Sequence, residues 1–272
     1  MASGAPDNLF DAAAQCLACC DPAAKLALTQ AHAAAIVGGD LRSTDVSHAP
    51  EPIGAPGRPP RPHLVAPRRL AQRGLGTAEG RAALLHAVAH IEFNAINLAW
   101  DAVYRFRGMP AEYYRDWAQV AADEARHFGL LAARLAEYGH AYGDFDAHDG
   151  LWDMAVRTAD SCLARMALVP RVLEARGLDV TPGMIERLRG VGDLPTVAIL
   201  EVILREEVAH VAAGSRWFAW CCERAGVDAP ATFHELLETH LRGGVRGPFN
   251  TAARLRAGFT PAELARLDEL AA

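Results

Sequence analysis

Two short stretches, "DEARHFG" at 123–129 and "EEVAHVA" at 206–212, each place a glutamate three residues before a histidine: Glu124 with His127, and Glu207 with His210. At that spacing both side chains share one face of a helix. The face around the first pair reads Val120, Ala121, Glu124, His127, Phe128, Leu131, Leu135. The face around the second reads Leu200, Ile203, Leu204, Glu207, His210, Val211, Gly214, Phe218. Each is an apolar stripe interrupted by two residues of metal-ligand type. An earlier segment offers Leu85, Val88, Ala89, Glu92, Ile96, Ala99 and Val103, again with one glutamate in an apolar face, and a third offers Leu163, Met166, Ala167, Leu173 and Glu174. A carboxylate turned toward a core is costly unless positive charge compensates it. No Lys or Arg lies on these stripes, so the charge must come from elsewhere, and bound metal ions would supply it.

The spacing supports that reading. Glu92 and Glu124 are 32 residues apart, with their midpoint at Gly108 in the breaker Gly108-Met109-Pro110. Glu174 and Glu207 are 33 apart, with their midpoint at Gly190–Val191. Two helical hairpins are expected, each carrying one lone Glu and one Glu-x-x-His. In a four-helix bundle this is the ligand set of a carboxylate-bridged dimetal site. The ligands expected are Glu92, Glu124, His127, Glu174, Glu207 and His210. A single Glu-x-x-His would read as a surface ion pair; two on apolar faces at matched spacing do not. Gly177 interrupts the arm that carries Glu174. Asp160 is the alternative there, but it would lie roughly 21 Å away along the helix axis.

The rest of the chain reads as all-α: a four-helix bundle with an N-terminal helical and Pro-rich extension and short C-terminal helices. Residues 1–46 form an N-terminal helical segment, with Asp21 capping a helix that starts at Pro22. Residues 47–76, "APEPIGAPGRPPRPHLVAPRRLAQRGLG" at their heart, form a Pro- and Arg-rich strap whose Leu64, Val65 and Leu70 would pack along a scaffold. Residues 77–226 hold the bundle. Thr77 caps a first helix running to about Arg107, and a second runs from Pro110 to Gly139. A third runs from Leu151 to Arg176, kinked at Pro170, and a short helix lies near Pro182–Arg189. A fourth opens at Asp193-Pro195 and ends before Gly226. Residues 227–272 add two short helices around "RGGVRGPFN".

Bulk properties narrow the classes. No apolar run reaches the roughly 20 residues of a membrane span, and the N-terminus does not read as a secretory signal. The net charge of −6 gives no general case for nucleic-acid binding. The six cysteines read as reduced thiols of a cytoplasmic protein. Cys16-x-x-Cys19 has no second pair to complete a zinc site, so it reads as small apolar residues on a helix.

The stretches "RAALLHAVAHIEFNAINLAWDA", "DEARHF", "MALVPRVLEARGLDVTP" and "LREEVAHVAAG" resemble the ferritin-like superfamily of diiron-carboxylate proteins. More closely they resemble a bacterial ferritin-like family, domain of unknown function 455, over nearly the whole chain. Residue by residue, that resemblance implies the same six ligands. It also implies distant kinship to a diiron hydroxylase that modifies a hypermodified tRNA base.

Carboxylates with imidazoles suit iron or, alternatively, manganese, so the cofactor expected is two Fe ions bridged about 3.5–4 Å apart. An enzyme is the favoured reading: a diiron oxidase or monooxygenase acting on a small molecule or modified nucleoside and fed by an electron donor. No catalytic residue beyond the ligands is singled out. Three alternatives stand beside it: a ferroxidase or iron-handling protein, a dimanganese protein that consumes peroxide, and a metal-free helical scaffold. No membrane partner is expected, and the oligomeric state is left open.

Asp101 and Asp123 are candidates to orient the metal-bound imidazoles. His86 and His90 read as hydrogen-bonding residues, Glu201 as an ion pair with Arg205, Tyr104 and Tyr113 as bundle-end aromatics, and Trp100 and Trp217 as core. Arg58, Arg61, Arg68, Arg69 and Arg73 of the strap, with Arg242, Arg246 and Arg254, read as solvated surface, with an anionic substrate as the alternative.

Overall fold

The computed structural model describes residues 5–43, 49–241 and 245–271. Arg242 and the junction of the first two segments at 46–47 lie outside them. Among the described residues the chain is helical, without strands, and no helix is long and apolar enough to cross a membrane. The chain divides into two compact units, residues 1–156 and 157–272. That boundary falls inside the 77–226 stretch.

In the first unit, α1 (Leu9–Ala18) and α2 (Pro22–Gly38) precede a hairpin of α3 (Ala78–Arg105) and α4 (Ala111–Glu137). Local chemistry sets these bounds. Asp21 accepts from Ala24 N at 2.8 Å and Thr77 Oγ1 from Gly80 N at 3.0 Å, each capping a first turn. Gly39 and Gly108 take left-handed φ of 86° and 70° where the chain leaves α2 and passes between α3 and α4. Helix α3 packs on α4, α2 on α4, and α1 on α3. The strap is tied by hydrogen bonds to residues 147 and 152, but Leu64, expected to pack, is exposed, and Val65 and Leu70 are half-buried. Val65 N donates to Ala147 O at 2.8 Å, Ala147 N to His63 O at 3.0 Å, and the Trp152 indole to Gly54 O at 2.9 Å. Arg58 pairs with Asp149 at 3.1 Å and Arg73 with Glu79 at 3.2 Å, so these two arginines are partnered rather than merely solvated.

The second unit departs from expectation along its first arm. The single helix expected over 151–176 is three pieces: α5 (Gly150–Arg157), α6 (Cys162–Leu168) and a π-helical turn over Val169–Glu174, with the unit boundary within α5. Ser161 causes the first break by capping α6, its hydroxyl accepting from Ala164 N at 3.1 Å. Pro170 sits in the π turn, where a regular i→i−4 ladder is already interrupted. Gly177 does not end a helix. It lies inside α7 (Ala175–Gly190), which absorbs the separate helix expected near Pro182.

Pro182 can stay within α7 because the carbonyl it orphans, Leu178 O, accepts from the Asn250 side-chain amide at 3.1 Å. Helix α8 (Leu194–Ala225) is as expected, capped by Asp193 and closed by Gly226 at φ 68°. It packs on α6, the π turn and α7. A Cβ on Gly214 would meet Pro170 carbons at 2.4 Å, so only glycine lets α8 approach the π turn this closely. Among its described residues the tail has three helices rather than two: α9 (Ala229–His240), α10 (Thr251–Arg256) and α11 (Pro261–Ala271).

Candidate metal centre

Glu92 lies thirteen residues before Arg105, the last residue of α3, and Glu124 thirteen after Ala111, the first of α4. The five-residue connection between them therefore sets the two carboxylates level on the paired helices. Both are buried, as is His127. The three side chains each offer a ligand atom within 4.8 Å of one another. His127 Nδ1 lies 3.2 Å from Glu92 Oε2 and 3.6 Å from Glu124 Oε2. Burial alone would strip the proton from this imidazole. Hydrogen bonds and charge from Glu124 and Glu92 outweigh it and raise the pKa to about 10. The ring therefore stands as the local cation between two carboxylates.

Aromatic residues stand beside these donors in the sequence. Phe93 and Phe128, which follow Glu92 and His127 in sequence, pack at 5.4 Å between ring centroids, and Tyr142 closes on both at 5.3 and 5.0 Å. His86 and His90 belong to this wall and take the hydrogen-bonding role expected of them. His90 Nδ1 meets Tyr142 Oη at 2.8 Å, and His86 Nε2 accepts from Gly143 N at 2.9 Å. Burial lowers both imidazoles to a pKa of about 4, so both are neutral.

The second unit presents its own pair. Glu207 and His210 are buried on α8, with Nδ1 of His210 3.4 Å from Glu207 Oε1. Glu207 lies thirteen residues after Leu194, the start of α8, while Glu174 lies sixteen before Gly190, the end of α7. This hairpin is less symmetric than the first, and Glu174, half-buried, is carried by the π turn instead of a regular helix.

Other expectations resolve individually. Asp101 is held by Arg105 through bonds of 2.7 to 3.1 Å, and Asp123 pairs with Arg126 at 3.4 Å on the helix surface. Glu201 pairs with Arg189 across the α7–α8 hairpin, not with Arg205, which contacts Glu206 instead. Trp100 and Trp217 are core, and Tyr113 is buried against Ala102 O. The six cysteines are free thiols.

Three cationic groups escaped sequence reasoning: Lys25, fully buried on α2, Arg165, buried on α6, and Arg171, buried in the π turn. The signal for Arg171 was a lone arginine inside the apolar run "MALVPRVL".

Carboxylate oxygens beside an imidazole nitrogen, dry and within one coordination sphere, are a donor set that suits a divalent transition metal. Comparison with known proteins gives a family and carries no activity. The family described as "Protein of unknown function (DUF455)" matches residues 18–265. The chain belongs to the DUF455 family. An uncharacterized protein of Haemophilus influenzae is 47% identical to this DUF455 protein over 213 residues, covering 76% of this chain and 74% of the relative. No solved structure matches.

Proposed function

We propose that this DUF455 protein is a ferritin-like dimetal protein. In this reading Glu92, Glu124 and His127 from the first unit and Glu174, Glu207 and His210 from the second jointly hold two metal ions, most naturally iron. The four rods would be α3, α4, α8 and the composite of α6, the π turn and α7. The observation that carries the reading is the buried Glu92–Glu124–His127 cluster, whose ligand atoms lie within 4.8 Å of one another. The Glu-x-x-His pair repeated on α8 supports it. Carboxylates brought together out of water need cationic charge, which a metal would supply better than a single imidazolium.

An iron pair so held would supply dioxygen reduction coupled to oxidation or hydroxylation of a bound substrate. The chain's own part would be to fix the carboxylates, orient His127 and His210, and keep water out with Phe93, Phe128 and Tyr142. A small molecule or modified nucleoside is the substrate class proposed, with an external electron donor and a site of action in the cytoplasm.

Anaerobic titration with Fe(II) tests this. About two irons per chain are expected. His210→Ala should lose about one iron per chain or most of the affinity. No stoichiometric iron or manganese in the full chain would leave a metal-free polar network and end the proposal. Manganese-loaded protein that evolves gas from peroxide, or light scattering from a large shell, would redirect the chemistry to peroxide consumption or iron storage.

A further inference from the structure

Within the second unit, the π turn, the end of α9 and the segment before α10 line a half-open cavity of about 220 Å³. Four arginines line it: Arg171, Arg176, Arg246 and Arg254. Two carboxylates answer them. Arg254 makes a two-pronged bond to Asp179 at 2.9 and 2.7 Å, with Arg176 3.7 Å from the same carboxylate, and Arg171 donates to Glu263 at 2.7 Å. Among the described residues no carboxylate pairs with Arg246. Two positive charges are thus in excess here, in a chain whose net charge is −6.

Arg171 is the most deeply buried of the four. It is 2% exposed, and Phe218, Phe233 and Phe259 surround its guanidinium at 4.8, 4.2 and 4.4 Å from the ring centroids. Nε donates to Ser215 and Nη2 to Glu263, but Nη1 is buried with no hydrogen-bond partner. A buried charged donor left unpaired is costly, and the planar fork of arginine matches a carboxylate or phosphate. The rest of the wall is apolar, with Leu241 and Phe249 among it.

We propose that this cavity binds a compact organic anion, a carboxylate or phosphate ester with an apolar body about the size of one ring. The size follows from the volume: a dry cavity of about 150 Å³ takes a benzene ring, and the remainder fits the anionic group. The site stands whether or not the dimetal reading does, because every residue in it belongs to the second unit and none is a proposed metal ligand.

Calorimetric titration of the full chain tests it, with a chelator present so that no metal can hold the anion. Phenyl phosphate and benzoate are the probes, benzyl alcohol the neutral counterpart and inorganic phosphate the bare ion. One saturable site per chain is expected for phenyl phosphate or benzoate, and the tighter of the two identifies the anion. Benzyl alcohol and inorganic phosphate should each bind at least about tenfold more weakly. The Arg176→Gln/Arg246→Gln double variant alters only side chains that are not fully buried, and it should weaken the anion at least about tenfold.

Absence of saturable binding by both anions overturns the proposal, as does equal affinity for benzyl alcohol or undiminished affinity in the double variant. Equal affinity for inorganic phosphate would reduce the cavity to a bare-ion site and overturn the organic ligand. The comparison among probes needs no variant, so it decides even if the substitutions disturb folding.

Discussion

Lys25 carries its ammonium group into the interior of the first unit. The side chain is wholly buried on α2, donates to Cys16 O at 2.8 Å and Asn97 Oδ1 at 2.6 Å, and sits 5.5 Å from the centre of the Phe93 ring. Burial pulls its pKa down from 10.5 to about 8. Below about 8 the lysine is protonated whether the chain is folded or not, and the full penalty of burying the charge is present. Between about 8 and 10.5 the unfolded chain binds the proton more tightly than the folded one, so stability rises with pH. Above 10.5 the penalty is gone. At 1.36 kcal/mol per pH unit the window is worth about 3 kcal/mol.

His127, raised to about 10, loses stability over the same range in both proteins, so urea unfolding between pH 7.5 and 10 should show a stability slope more positive in the native protein than in Lys25→Met. Equal slopes would mean that Lys25 is not held as a buried ammonium. Nothing local hints at this residue, because "DPAAKLALTQ" reads as an ordinary exposed lysine on an amphipathic helix. What buries it is the packing of α2 and α1 against the hairpin, a tertiary fact. Glu92, Glu124 and His127 were legible because each breaks an apolar stripe at helical period, which is a local fact.

The same contrast separates the elements. Caps, glycine turns and prolines at helix starts fix α2, α3, α4 and α8 nearly residue by residue, since those signals act within one turn. The arm carrying Glu174 misled because its breaks are compensated from a distance. Pro182 reads as a helix start, yet it lies mid-helix in α7, its missing hydrogen bond replaced by Asn250 from the "GPFN" segment. Asn250 also caps α10, accepting from Ala253 N at 3.1 Å, and its own N–H donates to Asp179 at 2.9 Å. Asn250→Ala removes both side-chain bonds and leaves Leu178 O unmet. Loss of about 2 kcal/mol in unfolding free energy is expected, from a cap worth about 1 kcal/mol and an orphaned carbonyl of similar cost. Asn250→Asp keeps the cap but cannot donate to Leu178, so it should fall between the two. If the aspartate variant were as stable as the native protein, the link between the tail and the proline-bearing helix would carry no energy.

At the scale of the whole molecule, the six proposed donors divide three and three between the two units. The chain boundary at 156/157 falls between the two sets in the sequence. A ligand held only by the folded state stabilises it by about 2.7 kcal/mol when present at a hundred times its dissociation constant. A metal pair held jointly would deliver that stabilisation to both units together, whereas a metal held by Glu92, Glu124 and His127 alone would reach only the first.

Hydrogen exchange resolves the two cases, read on peptides from α4 and α8 before and after removing metal with a chelator. Joint coordination predicts slower exchange in both helices when metal is present, and faster exchange in both in either Glu124→Ala or Glu207→Ala. If metal slows exchange in α4 alone, and Glu207→Ala leaves that protection intact, the second Glu-x-x-His is not part of the centre. In that case the repeat in the sequence, however regular, would reflect two separate buried ion pairs, Glu124 with His127 and Glu207 with His210, each compensating its own carboxylate.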